Sequence, residues 1–320
     1  MTRLPHLLAV VTLLGAAALA AVAEPMRVGH DFWIGYAGVF IAQDKGFFKD
    51  EGVEVELKSF PGPADSLPPL IAGHLDMNLT TLHNLALVSG ASDADLKLVY
   101  LIDASHGADA IVAKKALPTL KDLEGKKIAV TFNEANHLFL LVALESAGLT
   151  EADVELVNVS PDEAGAAFVA GSVDACVTWE PWVTKAMSEG DGHVVYSTKD
   201  APNLIINAIV APAGTREKRA KDVAAFIRAV DKGVAFLASN PDESLPIIAA
   251  ALQATPEDVK GMLAGDQIYS IADNRTLLLG EGTPAAQMTL GKIAEFLKAK
   301  ELTPKPVEPA ALIDTTFIKP

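Results

Sequence analysis

Two stretches of the chain share one pattern. Gly73-His-Leu-Asp-Met-Asn-Leu-Thr80 and Gly171-Ser-Val-Asp-Ala-Cys-Val-Thr178 both read G-x-x-D-x-x-x-T, 98 positions apart. Each follows a short helical pattern, LPPLIAG and GAAFVAG, ending in the glycine expected just past a helix. Upstream, RVGHDFWIGYAGVFIAQDKGFF (27–48) parallels KIAVTFNEANHLFLLVALESAG (127–148). Both read as a basic residue, a short strand, a turn and an amphipathic helix. VEVEL (53–57) and VELVNV (154–159) then read as strands. A β-α-β-α-β order thus occurs twice. Short strands alternating with helices predict an α/β fold of two lobes, each a mostly parallel sheet flanked by helices.

Two segments read as hinge crossings between the lobes. One is the apolar run 96–113, broken at Ala104–Gly107; the other is 203–212. The expected division is 24–106 plus 210–320 for lobe 1 and 107–209 for lobe 2. Helical patterns follow Gly214 at 215–238, 241–252, 256–264 and 284–300. The proline-rich tail from Pro304 is expected to run over the surface.

The N-terminus reads as a secretory signal peptide, 1–23. Met1–Arg3 gives a positive start, Leu7–Ala20 an apolar run, and Ala21-Val22-Ala23 an A-x-A site with cleavage after Ala23. The run is nearly long enough to anchor in a membrane, but the well-formed small-residue site favours cleavage. A lipid anchor would need a cysteine at the cut, and the one cysteine is Cys176. Export to a bacterial periplasm is the expected localisation. A net charge of −15 opposes a nucleic-acid partner, whose phosphates would be repelled. A single cysteine excludes an internal disulfide, and Cys176, inside an apolar strand pattern, is expected to be inert core.

Ligands of open α/β sheets bind beyond the carboxyl ends of the strands. Those ends fall at Asp31–Tyr36, Thr80–Asn84, Thr131–His137 and Thr178–Glu180. The candidate ligand-binding residues from the first lobe are Trp33, Tyr36, Thr80, Thr81 and Asn84. Asp103 and Ser105 come from the first crossing and Asn207 from the second. The second lobe supplies Asn133, Glu134, Trp179 and Glu180. Each also has a structural role open to it. Trp33 and Trp179 could be lobe core, Glu134 a favourable charge in a helix's first turn, Asp103 and Ser105 hinge turns, and Thr80 a helix cap. Trp182 reads as packing, one turn into a helix.

Two effects compete in such a cleft. Converging helix N-termini favour an anion. Yet no lysine or arginine falls among the strand ends, whereas Asp31, Asp103, Glu134 and Glu180 do. Carboxylates with tryptophan faces suit an amine or guanidinium. Both ligand classes stand, with a lean to a cationic or neutral nitrogenous solute. His30, His83, His106 and His137 fall in or beside cleft loops but without metal spacing, so no metal site is expected. Gly280–Ala285 has the form G-x-G-x-x-A without a βαβ return strand, and neither G-x-S-x-G nor H-E-x-x-H occurs. No cofactor and no enzymatic activity are expected.

The segments WIGYAGVFIAQDKGFFKDEGVEVEL (33–57), DASHGADAIVAK (103–114), LKDLEGKKIAV (120–130) and DACVTWEPW (174–182) resemble the nitrate/sulfonate/taurine-binding family of periplasmic solute-binding proteins of ABC importers, which includes binders of thiamine-precursor pyrimidines. The resemblance spans essentially the whole chain after residue 23. It implies a type II periplasmic-binding-protein fold, capture of a small polar solute between the lobes, transient docking on an inner-membrane ABC permease, and a monomer. It also implies an acidic residue in the 80–84 region and an aspartate where Asn207 stands; here the positions are Thr80-Thr81-Leu82-His83-Asn84 and Asn207. The fungal enzyme that makes thiamine pyrimidine resembles the same broad fold but carries a cysteine-rich motif, which Cys176 alone cannot supply.

Overall fold

The computed structural model describes residues 24–280 and 282–319, so the expected signal peptide and its cleavage site lie outside the described residues. Eleven strands follow in chain order: β1 Met26–His30, β2 Val55–Ser59, β3 Met77–Thr81, β4 Leu96–Ser105, β5 Asp109–Lys114, β6 Lys127–Val130, β7 Glu155–Asn158, β8 Ala175–Trp179, β9 Gly192–Ser197, β10 Ile206–Pro212 and β11 Asp266–Ile268.

The duplicated pattern is a duplicated set of hydrogen bonds. Gly73 and Gly171 both take positive φ, 77° and 73°, a left-handed turn that costs glycine no Cβ clash. The aspartate of each copy then fixes the neighbouring strand. Asp76 accepts from the Arg27 backbone N–H at 2.8 Å, and Asp174 from that of Lys127 at 3.1 Å. The threonine of each copy donates to a proline carbonyl 17 residues earlier, Thr80 to Pro63 at 2.9 Å and Thr178 to Pro161 at 2.7 Å. Thr80 therefore ties its strand end to the loop at Pro63, and Thr178 ties its own to the first residue of the helix Pro161–Val169; neither caps a helix.

Lobe 1 carries a six-stranded sheet in the order β11-β4-β10-β3-β1-β2, and lobe 2 a five-stranded sheet in the order β7-β6-β8-β5-β9. The triads β2-β1-β3 and β7-β6-β8 are parallel, as the β-α-β-α-β order dictates. The remaining pairings are antiparallel, so each sheet is mixed where a mostly parallel one was expected. A strand that leaves for the other lobe and one that returns run in opposite directions. β10 therefore lies antiparallel between β3 and β4. It enters the first sheet at Ile206, inside the range 107–209 expected for lobe 2, because Asn207 pairs with both Thr81 and Asp103.

Apolar side chains of β1, β3, β4 and β10 are almost wholly buried, which suits a sheet covered on both faces. A smaller cluster in lobe 2 joins Val112, Phe168, Cys176 and Val183. There burial pushes the Cys176 thiol up to about 12, which leaves it without a reactive thiolate. The sequence reading missed β11 and the helix Ile271–Leu279, whose start carries a capping box between Ser270 and Asp273. The tail is anchored rather than loose: Leu312 and Ile318 are buried, and the Asp314 N–H donates to the Leu98 carbonyl at 2.9 Å. No described helix is long and apolar enough to cross a membrane.

Candidate functional site

A cavity of about 620 Å³ opens between the lobes at the carboxyl ends of β1, β3 and β8. Among the expected residues, Trp33, Thr81, Glu134, Trp179, Glu180 and Asn207 lie on its wall. Tyr36, Thr80, Asn84, Asp103 and Ser105 sit behind it, buried, while Asn133 lies off the wall with an exposed side chain and only its backbone groups engaged.

Asp103 is fully buried. Its oxygens accept from the Trp33 indole N–H at 3.1 Å and from the Asn207 amide at 2.9 Å, so it holds two wall residues without reaching the wall. Thr80 fixes Pro63, which lines the cavity, and the Asn84 amide donates to Thr80 at 3.2 Å. Ser105 sits in the hinge, its hydroxyl 2.8 Å from that of Thr198 and accepting from the Asp109 N–H at 3.1 Å. Tyr36 is enclosed completely, and burial raises its phenol well above the usual value. Asn133, at φ 62°, donates its N–H to His137 Nδ1 at 3.1 Å, while its carbonyl accepts from His83 Nε2 at 2.9 Å.

The four histidines go to separate tasks. His83 and His137 make the contacts just given, His30 donates to the Asp31 carbonyl at 2.8 Å, and His106 is exposed. Among the described residues no three His, Cys, Asp or Glu side chains are placed to hold a metal ion.

Several wall residues escaped the sequence reading. Trp182, expected as packing, lines the cavity, and Lys185 Nζ lies 4.5 Å above its ring. Lys185 is the one cation among the described lining residues, and it sits a turn beyond the strand end where cations were sought. Asp109 opposes Trp179 in the β5–β8 register, a position marked in sequence only by an acid heading an apolar run. Asn136 follows Glu134 into the helix Ala135–Ser146. A third wall comes from Leu252–Met262, far along the chain.

The wall is acidic, but burial changes what the acids do. Removal from water pushes the carboxyls of Asp31 and Asp109 up to about 7, and that of Asp103 behind them equally. Glu134 and Glu180 are raised by the same cause. Asp266 is also raised well above the usual carboxylate range, by burial and by the Asp103 carboxyl beside it. Glu180 also accepts from the Thr184 N–H at 3.1 Å and hydroxyl at 3.0 Å, capping the first turn of the helix Trp182–Glu189. An acid near neutrality opposes an anion far less than a fixed carboxylate does, and protonated it donates a hydrogen bond.

Asp31 Oδ1, Asp109 Oδ2 and Asn136 Nδ2, all on lining residues, are buried without a well-aligned hydrogen bond, although the Asn136 amide lies near the Asp109 carboxyl and the Tyr36 hydroxyl near that of Asp31. The opening N–H groups of Ala135 and Asn136 have no carbonyl a turn earlier to bond, and they carry the positive end of the helix dipole. Donors for an anionic group and acceptors for a cationic one thus share the cavity.

The NMT1/THI5 like family model matches residues 33–244. The chain is 30% identical over 309 residues to the taurine-binding periplasmic protein of Escherichia coli K12, covering 92% of this chain and 93% of that one. It is 25% identical over 288 residues to a putative aliphatic sulfonates-binding protein of Bacillus subtilis, covering 88% of this chain and 83% of that one. Among solved structures, the aliphatic sulphonate binding protein SsuA of Escherichia coli superposes with TM-score 0.77 at 21% identity, over 91% of this chain and 97% of that one. SsuA of Xanthomonas axonopodis pv. citri, bound to MOPS, gives 0.74 at 22%, over 92% and 100%. The two-lobed fold is therefore that of the periplasmic binding proteins, and the chain belongs to the NMT1/THI5-like family.

Proposed function

We propose that the protein is the periplasmic binding component of an ABC importer and captures a small organosulfonate that also carries an amine. One observation carries this reading. One cavity is lined both by Asn136, at the start of its helix, and by the carboxyl-bearing Asp31 and Asp109, which face it from the two lobes. The donors suit a sulfonate, which is an acceptor only. The carboxyls suit an ammonium group, whose charge would return them to the ionised form. Lys185 adds a cation at the rim.

The lean towards a cationic or neutral nitrogenous solute is withdrawn. It counted the strand-end acids as fixed charges, whereas burial pushes the carboxyls of Asp31 and Asp103 up to about 7. The relatives named for taurine and aliphatic sulfonates support the anion-binding alternative instead. Contacts to both lobes favour a closed form, because only differential interaction shifts such an equilibrium, and that form docks on the permease.

Calorimetry with taurine, ethanesulfonate and ethylamine tests the reading. Taurine is expected to bind most tightly, near micromolar Kd or about 8 kcal/mol, ethanesulfonate more weakly and ethylamine not at all. Binding of amines or guanidinium compounds without any sulfonate binding would overturn it.

A further inference from the structure

The chain contains three tryptophans, and Trp33, Trp179 and Trp182 all line this one cavity. Trp33 and Trp179 meet edge to face at 6.3 Å. Trp179 and Trp182 are only half-buried, and Phe32 on the same wall is 43% exposed. The position of Trp182 is specific. It lies so close to the helix Pro161–Val169 that a Cβ at Gly165 would come 2.6 Å from its own. A glycine weakens a helix relative to alanine, so the chain accepts a weaker helix where this indole sits.

The volume points the same way. A cavity of about 620 Å³ falls among sites for drug-sized ligands, about 300–1,000 Å³. In the lobe arrangement seen here, before any closure, a two-carbon aminosulfonate would leave space for on the order of ten waters at about 30 Å³ each. Much of that water would lie against indole and phenyl surface, where exposure costs about 25 cal/mol per Å².

We propose that the solute, on the sulfonate reading above, has a flat apolar body, aromatic or cyclic, lying against Trp179 and Trp182 rather than a short alkyl chain. The body fills the space that a two-carbon chain leaves wet, and its ring makes offset or edge contacts with the indoles. The polar ends keep the partners already described.

Matched probes test this. Ethanesulfonate is compared with benzenesulfonate, and taurine with 4-(aminomethyl)benzenesulfonate; benzylamine carries the body without the sulfonate. Affinities come from calorimetry and contact with the indoles from tryptophan emission. Each aromatic sulfonate is expected to bind at least about tenfold more tightly than its alkyl counterpart, about 1.4 kcal/mol, with a shift in emission. Trp179→Ala and Trp182→Ala each lower that ratio below about threefold, whereas Trp179→Phe and Trp182→Phe, which keep an aromatic face and the packing, retain most of it. Equal or tighter binding of the alkyl members overturns the proposal and leaves the sulfonate reading standing. An aromatic preference that survives both alanine variants overturns the placement on these indoles. Binding of benzylamine with no sulfonate binding overturns the sulfonate reading and this proposal together.

Discussion

Asp103 is met from opposite sides by groups 70 and 104 positions away, the Trp33 indole and the Asn207 amide. Gly35 makes room for it, since a Cβ there would lie 2.0 Å from Asp103 Oδ2. Asp103→Ala strands two buried donors, at about 1–3 kcal/mol each. Relief of the crowding with Asp266 offsets part of that, so a loss of about 2 kcal/mol is expected in urea unfolding, together with weaker ligand binding. A loss under about 0.5 kcal/mol would show that the carboxyl supports neither wall residue. The sequence marks Asp103 as an acid at a strand end. Its role as a support is invisible there, because partners so distant in the chain leave no local pattern. Trp33, Thr81, Trp179 and Glu180 were legible because each stands where a strand of a β-α-β unit must end.

The helices on one side of the cleft are clasped across the lobes. His83, on the helix Leu82–Ala91 of lobe 1, donates to the Asn133 carbonyl of lobe 2. Phe296, on the lobe 1 helix Ala285–Ala299, has its ring 5.6 Å from that of His83 and 5.7 Å from that of His137. Lys300, just past that helix, and His137 both engage Glu151 of lobe 2. The Lys300–Glu151 pair is partly exposed, so its worth to folding is small, about 0–1 kcal/mol, while its place between the lobes gives it leverage on closure. Lys300→Met is therefore expected to leave thermal stability nearly unchanged. It should enlarge the radius of gyration of the ligand-free protein in small-angle scattering and weaken binding about threefold or more. An unchanged radius and affinity would mean that the crossings alone set the lobe arrangement. This clasp and the wall from Leu252–Met262 join elements far apart in sequence, so helix periodicity gave the elements but not their meeting.

For the molecule as a whole, buried titratable groups pull stability in two directions with pH. Asp31, Asp103 and Asp109 titrate near 7 when folded and near 3.8 when unfolded. The folded state therefore holds protons that the unfolded state releases, and their contribution, full below about 4, is lost as pH rises through 7. His83, lowered to about 4, and His137, also lowered, act oppositely. The unfolded state takes up their protons below about 6.5, so stability is lost as pH falls from there towards 4. His30 is lowered by burial as well, but against these three histidines stand the three acids named together with Asp266, Glu134 and Glu180, all raised by burial, so the acids prevail near neutrality. The ligand-free thermal midpoint should thus rise between pH 8 and 6 and level or fall below that. A bound amine on Asp31 and Asp109 stabilises their ionised forms, so the ligand-bound midpoint should change less over that range. A flat ligand-free profile would mean that these acids are solvated. The sequence by itself determined the doubled β-α-β-α-β order, the left-handed turns at Gly73 and Gly171, the Asp and Thr positions that repeat with them, and hence a cleft at the strand ends. All of these are hydrogen-bonding patterns closed within about fifty residues. Only the tertiary structure decided which acids face the cavity, how much charge they keep, that Lys185 and Trp182 join them, and that a third wall comes from the C-terminal helices. Desolvation and cavity shape are set by groups brought together from the whole chain, and no local pattern encodes them.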